Sequence, residues 1–108
     1  QAVAYYKELL STTWKLGDER WVAFSLEKMA SVYVEEVKSE RASRLYGAAE
    51  RIREASDAAM YPFEIEDYKH SLEELRKQLA IATFTDCWAE GRAMSQKQAV
   101  AYALEESQ

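Results

Sequence analysis

Three glycines, one proline, one cysteine and one histidine are all that the 108 residues contain of these types. With so few glycines and prolines the chain has few places to turn sharply. That excludes turn-rich sheet domains and points to helices joined by short connections. The single cysteine, Cys87, excludes an internal disulfide and fits a reducing cytoplasm. The single histidine, His70, excludes the paired carboxylate–histidine metal site of helical bundles, which needs a second copy. No apolar run approaches the roughly 18 residues of a membrane span, and no signal peptide is visible. There is no glycine-rich phosphate loop and no nucleophile elbow. Basic residues are fewer than acidic ones, 14 against 19, and the net charge of −5 argues against a nucleic-acid surface.

What is present describes one globular domain. Hydrophobic residues make up 48% and charged residues 31%, and the length is enough for one core but too short for two. The negative charge is concentrated in residues 61–108, which carry a net −4 against −1 for residues 1–60. The chain opens at Gln1, without Met and inside a helical pattern, and is expected to be a piece of a longer protein.

The apolar spacing predicts six helices. The first covers 1–16, with Tyr5, Tyr6, Leu9, Leu10 and Thr13 at i, i+1, i+4, i+5 and i+8. Gly17 suits a left-handed C′ position and Asp18 the next N-cap, so the second helix, about 19–37, runs back antiparallel. Its stripe of Val22, Leu26, Met29 and Tyr33, flanked by Trp21, Phe24 and Val32, is wide enough to be covered on two sides. Ser39 can cap a third helix over about 40–56. Ala2, Tyr5, Tyr6 and Leu9 recur as Ala42, Leu45, Tyr46 and Ala49 at an offset of 40, the mark of an α-helical repeat. After a linker at 57–61, Pro62 opens a fourth helix carrying Ile65, Tyr68, Leu72, Leu75 and Leu79. A short fifth helix, about 84–90, is expected to be capped through Thr83 and Asp86 and stopped by Gly91. Ser95 and Gln98 form a capping box for a sixth, 96–105.

Few residues carry the signature of chemistry. His70 lies off its helix's apolar stripe and reads as a solvated surface residue despite Glu66 and Asp67 one turn before it. Cys87, between Phe84 and Trp88, reads as a small packing group. The pairs Glu35–Glu36, Glu73–Glu74 and Glu105–Glu106 point about 100° apart on a helix and do not converge as an acid–base pair. Arg41, Arg44 and Arg51 fall within an arc of roughly 80° on the third helix and form a candidate strip for an anion or acidic partner. Against it stand intrahelical pairs, Glu40–Arg44 and Glu50–Arg53. Tyr5, Tyr6 and Trp14 lie on the N-terminal edge and are expected to be exposed and prone to self-association.

The run Ala42-Ser-Arg-Leu45-Tyr46-Gly47-Ala48-Ala49-Glu50-Arg-Ile52-Arg53, then Pro62, Tyr68, Leu75 and Leu79, then Phe84…Trp88-Ala-Glu-Gly91-Arg92-Ala…Ser95 and Ala99…Ala103-Leu104, carries a resemblance. It resembles the tetratricopeptide-like C-terminal helical-repeat domain of bacterial signal-transducing ATPase regulators of the MalT and AfsR type. Their output part is often a LuxR-type DNA-binding domain, sometimes a cyclase or kinase. The likeness is densest in residues 42–54 and 84–104. The chain departs from it at Ala80, where the family usually has glycine, and near 35–39, where the usual Gly-Asp is missing. The resemblance implies a non-catalytic role, with ATP chemistry and DNA binding lying in other parts of the parent protein.

The expected fold is therefore all-α: six antiparallel helices in a tetratricopeptide-like α-solenoid fragment, with repeat helices in 1–57 and terminal capping helices in 62–108. The expected function is a non-enzymatic regulatory or protein-interaction scaffold, cytoplasmic, at the C-terminal end of a bacterial transcriptional or signalling regulator. Its partners are other domains of the parent and a protein partner, with no cofactor, metal, membrane or direct nucleic-acid contact. Candidate contact residues are Tyr5, Tyr6, Trp14, Arg41, Arg44 and Arg51. The alternative is a small-molecule inducer pocket. A remote alternative is a DNA-binding helix-turn-helix formed by the last two helices, whose only basic residues are Arg92 and Lys97.

Overall fold

The computed structural model describes residues 2–105, and every regular element among them is an α-helix. They are α1 (Ala2–Leu16), α2 (Glu19–Glu35), α3 (Ser39–Ser56), α4 (Pro62–Gln78), α5 (Ile81–Arg92) and α6 (Gln96–Leu104). Gln1 and Glu106, which figure in the expected first helix and last acidic pair, lie outside the described residues.

The first three helices end in the same way every 20 residues. Gly17, Val37 and Asp57 take the left-handed conformation, with φ of 70°, 58° and 53°. Each time the following N–H reaches five residues back: Asp18 to the Thr13 carbonyl, Lys38 to Tyr33 and Ala58 to Arg53, at 2.8–3.0 Å. This is the Schellman closure, which satisfies carbonyls that a helix end leaves without partners. Positions 40 residues apart are thus separated by two such reversals, but the recurring residues differ in environment. Ala42, Leu45, Tyr46 and Ala49 are buried, whereas Ala2 and Tyr5 are exposed and Tyr6 and Leu9 half-buried. Glycine fits the left-handed position at Gly17, but Val37 is β-branched and its side chain is exposed. Left-handed backbone at such a residue costs about 1–2 kcal/mol, and glycine returns part of that gain by loosening the unfolded chain. Val37→Gly is therefore expected to stabilise the fold by about 1 kcal/mol, or roughly 4–8 °C in Tm for a domain of this size. Thermal unfolding followed by circular dichroism checks it; a lowered Tm would mean that the Val37 side chain has a stabilising contact.

Helices α1, α2, α3 and α5 lie side by side in that order, each packed along the next, while α4 leans on α2 and α3. Helix α6 folds back over α1, α2 and α3. Burial of Val22, Leu26, Met29 and Tyr33 from α2 and of Ala42, Leu45, Tyr46 and Ala49 from α3 forms the centre of the core. As the width of its stripe requires, α2 is covered by α1, α3 and α4. The radius of gyration, 12.6 Å, is that of a compact domain of this length.

Several local expectations hold. Asp18 accepts the Trp21 N–H, Pro62 is the first residue of α4, and Ser95 and Gln98 exchange hydrogen bonds in a capping box. Others are corrected. Ser39 is the first residue of α3, not its cap, and its hydroxyl binds Gln78 Oε1 at 2.5 Å. Helix α5 starts at Ile81, three residues before the expected position, and Thr83 and Asp86 do not cap it; Ala80 precedes it without a side-chain cap. Gly91 does not stop α5 but lies buried inside it. A Cβ on Gly91 would overlap the backbone of Arg44, and one on Gly47 the backbone of Trp88. The two glycines let α3 and α5 cross with their backbones in contact. They are there for the missing side chain, not for freedom to turn.

Candidate functional site

Arg53 sets the geometry around which the site is built. The sequence pairs it with Glu50 on the helix surface; in the fold it is buried and belongs to a cluster of three helices. Its guanidinium donates to both carboxylate oxygens of Glu27 on α2 at 2.8 and 2.9 Å, to Glu64 on α4 at 3.1 Å and to the Ala58 carbonyl at 2.8 Å. The three charged side chains are only 7–9% exposed. Glu64 also accepts the Tyr61 N–H at 2.6 Å, closing the N-terminus of α4. Burial pushes the Glu27 carboxyl above its ordinary range, outweighing the hydrogen bonds and charge of Arg53, and the nearby Glu64 adds to the rise. Arg20 supports the same corner, donating to the Ala59 carbonyl at 2.6 Å and lying over the Tyr61 ring. A cavity of about 30 Å³ beside Glu27 and Glu64 has room for about one water.

Fixed at its start, α4 leans on α2 and α3 without packing along α5. The space between α4 and α5 is an open groove of about 390 Å³. Aromatic rings form its floor. Tyr46 meets Tyr68 edge-on at 5.5 Å and stacks with Trp88 at 6.1 Å, and Trp88 meets Phe84 at 5.3 Å. The Tyr46 hydroxyl donates to Ser71 Oγ at 2.7 Å, and burial pushes its pKa up to about 12, so it stays a neutral packing group. Glu50 locks the other side, accepting from Trp88 Nε1 at 2.9 Å and from Arg92 at 2.8 Å. Arg92 also makes a two-pronged contact with Glu54, whose carboxyl that hydrogen bonding holds below its usual range. Leu72 and Thr85 complete the walls, and Arg76 lies over the Phe84 ring at 5.6 Å.

The residues singled out in the sequence are dispersed. Tyr5 is 62% exposed and Trp14 38%, while Tyr6 is half-buried against the core and edge-on to Tyr5. Arg41 turns toward α6, donating to the Tyr102 carbonyl at 2.9 Å and lying between the rings of Tyr33 and Tyr102. Arg44 binds Glu90 on α5 at 2.8 Å as well as Glu40 at 3.5 Å. Arg51 is exposed and makes no ion pair with a described residue. The three arginines thus share a helix but not a common site. His70 is on the exposed side of α4, and Cys87 is buried, its thiol pushed up by desolvation. Among the described residues no group of three or more His, Cys, Asp or Glu side chains is placed to hold a metal ion. No helix there is long and apolar enough to cross a membrane.

The groove itself is not marked out in the sequence. Phe84 and Trp88 read as one apolar stripe, and only the separation of α4 from α5 reveals that part of that stripe faces a furrow. Compared with known protein families, with curated proteins and with solved structures, the chain matches none.

Proposed function

We propose that this chain is a non-catalytic scaffold that binds a segment of another protein, or of another domain of its parent, in the α4–α5 groove. The observation that carries the proposal is the aromatic floor of Tyr68, Phe84 and Trp88, half-buried and open along one side. Aromatic side chains in a rigid setting are what protein interfaces use as anchors. Lack of enclosure counts against the small-molecule inducer: the groove is open along its length and the cavity beside Glu27 and Glu64 has room for about one water, whereas sites for small ligands bury most of the ligand. The remote DNA-binding reading loses support because Arg92 is already neutralised by Glu50 and Glu54. Taken with the resemblance in residues 42–54 and 84–104, the proposal is of a scaffold in a cytoplasmic bacterial signalling regulator, where it would restrain or report on the parent's other domains.

Selection of helical peptides displayed on phage against the folded domain tests this. Thr85 and Ala89 are exposed groove residues, and lengthening them to glutamine fills the furrow while keeping good helix formers. The expected result is a family of binders that lose roughly tenfold in affinity toward Thr85→Gln/Ala89→Gln. Binders indifferent to that change but lost on altering Tyr5 or Trp14 would mean that the binding surface is on α1.

A further inference from the structure

Of the charged groups lining the groove, Glu50 and Arg92 satisfy each other, and Arg92 is further held by Glu54. Arg76 is different: exposed, it makes no ion pair with a described residue and rests only on the Phe84 ring. The groove therefore joins an apolar floor to a positive charge without an ion-pair partner, at the end where α4 finishes, while Glu50 and Glu54 are turned to Arg92. Tyr68, Leu72 and Arg76 follow at four-residue steps along one face of α4, a span of about 12 Å, or two helical turns. We infer that the occupant is an amphipathic helix of an acidic partner, with apolar side chains on Tyr68, Leu72 and Trp88 and a carboxylate on Arg76. The inference rests on the reading of the groove as a docking surface. Charge complementarity carries it: a neutral or basic segment would leave Arg76 beside desolvated apolar surface with no counter-charge, whereas a carboxylate makes a charge-assisted, two-pronged contact.

Three synthetic peptides with the same apolar stripe but Glu, Gln or Lys flanking it separate the possibilities. Binding is read by fluorescence anisotropy and by the NMR signal of the Trp88 indole N–H. The Glu peptide is expected to bind roughly tenfold more tightly than the Gln peptide at low salt, with the Lys peptide weakest. Arg76→Gln should abolish that preference, Arg76→Lys should retain most of it and Arg76→Glu should reverse the order. If the Gln peptide binds as well as the Glu peptide and shifts the Trp88 signal, the groove is a docking site but the acidic partner is wrong. The acidic partner is equally overturned if the Glu preference survives Arg76→Gln. If none of the three moves the Trp88 signal, the docking surface itself falls.

Discussion

Replacing Arg53 with methionine is expected to destabilise the domain by about 3–5 kcal/mol, a large share of the total stability of a small domain. Methionine matches much of the aliphatic volume but leaves Glu27 and Glu64 facing each other inside the protein, and leaves the Ala58 carbonyl without its donor. Removing one partner of a buried charge cluster costs more than the cluster contributes, because the remaining charges stay desolvated. The pH dependence carries a definite sign. Without Arg53, the two larger influences that lower Glu27 are gone and only the weaker charge of Lys28 still lowers it, while burial and the Glu64 charge, which raise it, remain. A carboxyl raised in the folded state contributes stability that is present below its unfolded value, near 4.5, and lost as pH rises through the folded value. The Arg53→Met penalty should therefore be larger at pH 8 than at pH 5. Glu27→Gln, which removes one buried charge and leaves Arg53 paired with Glu64, should cost much less. Urea unfolding at the two pH values decides. A penalty under about 1 kcal/mol at pH 8, or one that grows on acidification, would mean that the cluster is hydrated and not a buried latch.

Gly91→Ala is the second large effect, and here two terms oppose each other. Alanine inside a helix is worth about 1 kcal/mol over glycine. The new methyl, however, would occupy the space of the Arg44 carbonyl and adjacent backbone, which cannot swing aside as a side chain can. Helices α3 and α5 would have to separate along one of the main packing seams of the fold. Overpacking typically costs about 1–3 kcal/mol, at the upper end against backbone, so after the helix gain a net loss of about 2 kcal/mol is expected. Gly47→Ala should behave alike, since its methyl meets the Trp88 carbonyl. Once the helices have parted for one methyl, the second costs less, so the double variant should lose less than the sum of the two single changes. Strict additivity in denaturant melts, or a stabilising Gly91→Ala, would contradict the close crossing. So would an unchanged NMR signal of the Trp88 indole N–H, which reports on the seam.

Much of the fold is legible because the signals are local. Pro62 at a helix start, Gly17-Asp18 at a reversal and the Ser95–Gln98 box each work through their own backbone neighbours, and each is found where expected. Gly91 and Arg53 differ from expectation because their roles belong to the tertiary structure. A glycine that ends a helix and one that admits a neighbouring backbone look the same in sequence. So do an arginine near a surface acid and an arginine that gathers two distant ones. Val37 is hidden for the opposite reason: the fold imposes left-handed backbone on a β-branched residue that does not favour it, whereas Asp57 is of a type that tolerates it. The groove depends on how far α4 lies from α5, a distance that no helical periodicity contains. Arg76 consequently looks like any solvated charge, while the more conspicuous arginines, Arg41 and Arg44, are largely taken up by α6 and α5.

An NMR titration of the isotopically labelled domain with a peptide selected for binding tests the central claim most directly. The largest shifts should fall on Tyr68, Leu72, Phe84 and the Trp88 indole N–H, with α1 left unmoved. Shifts centred on Tyr5 and Trp14, or on Arg51, with a silent groove would contradict it.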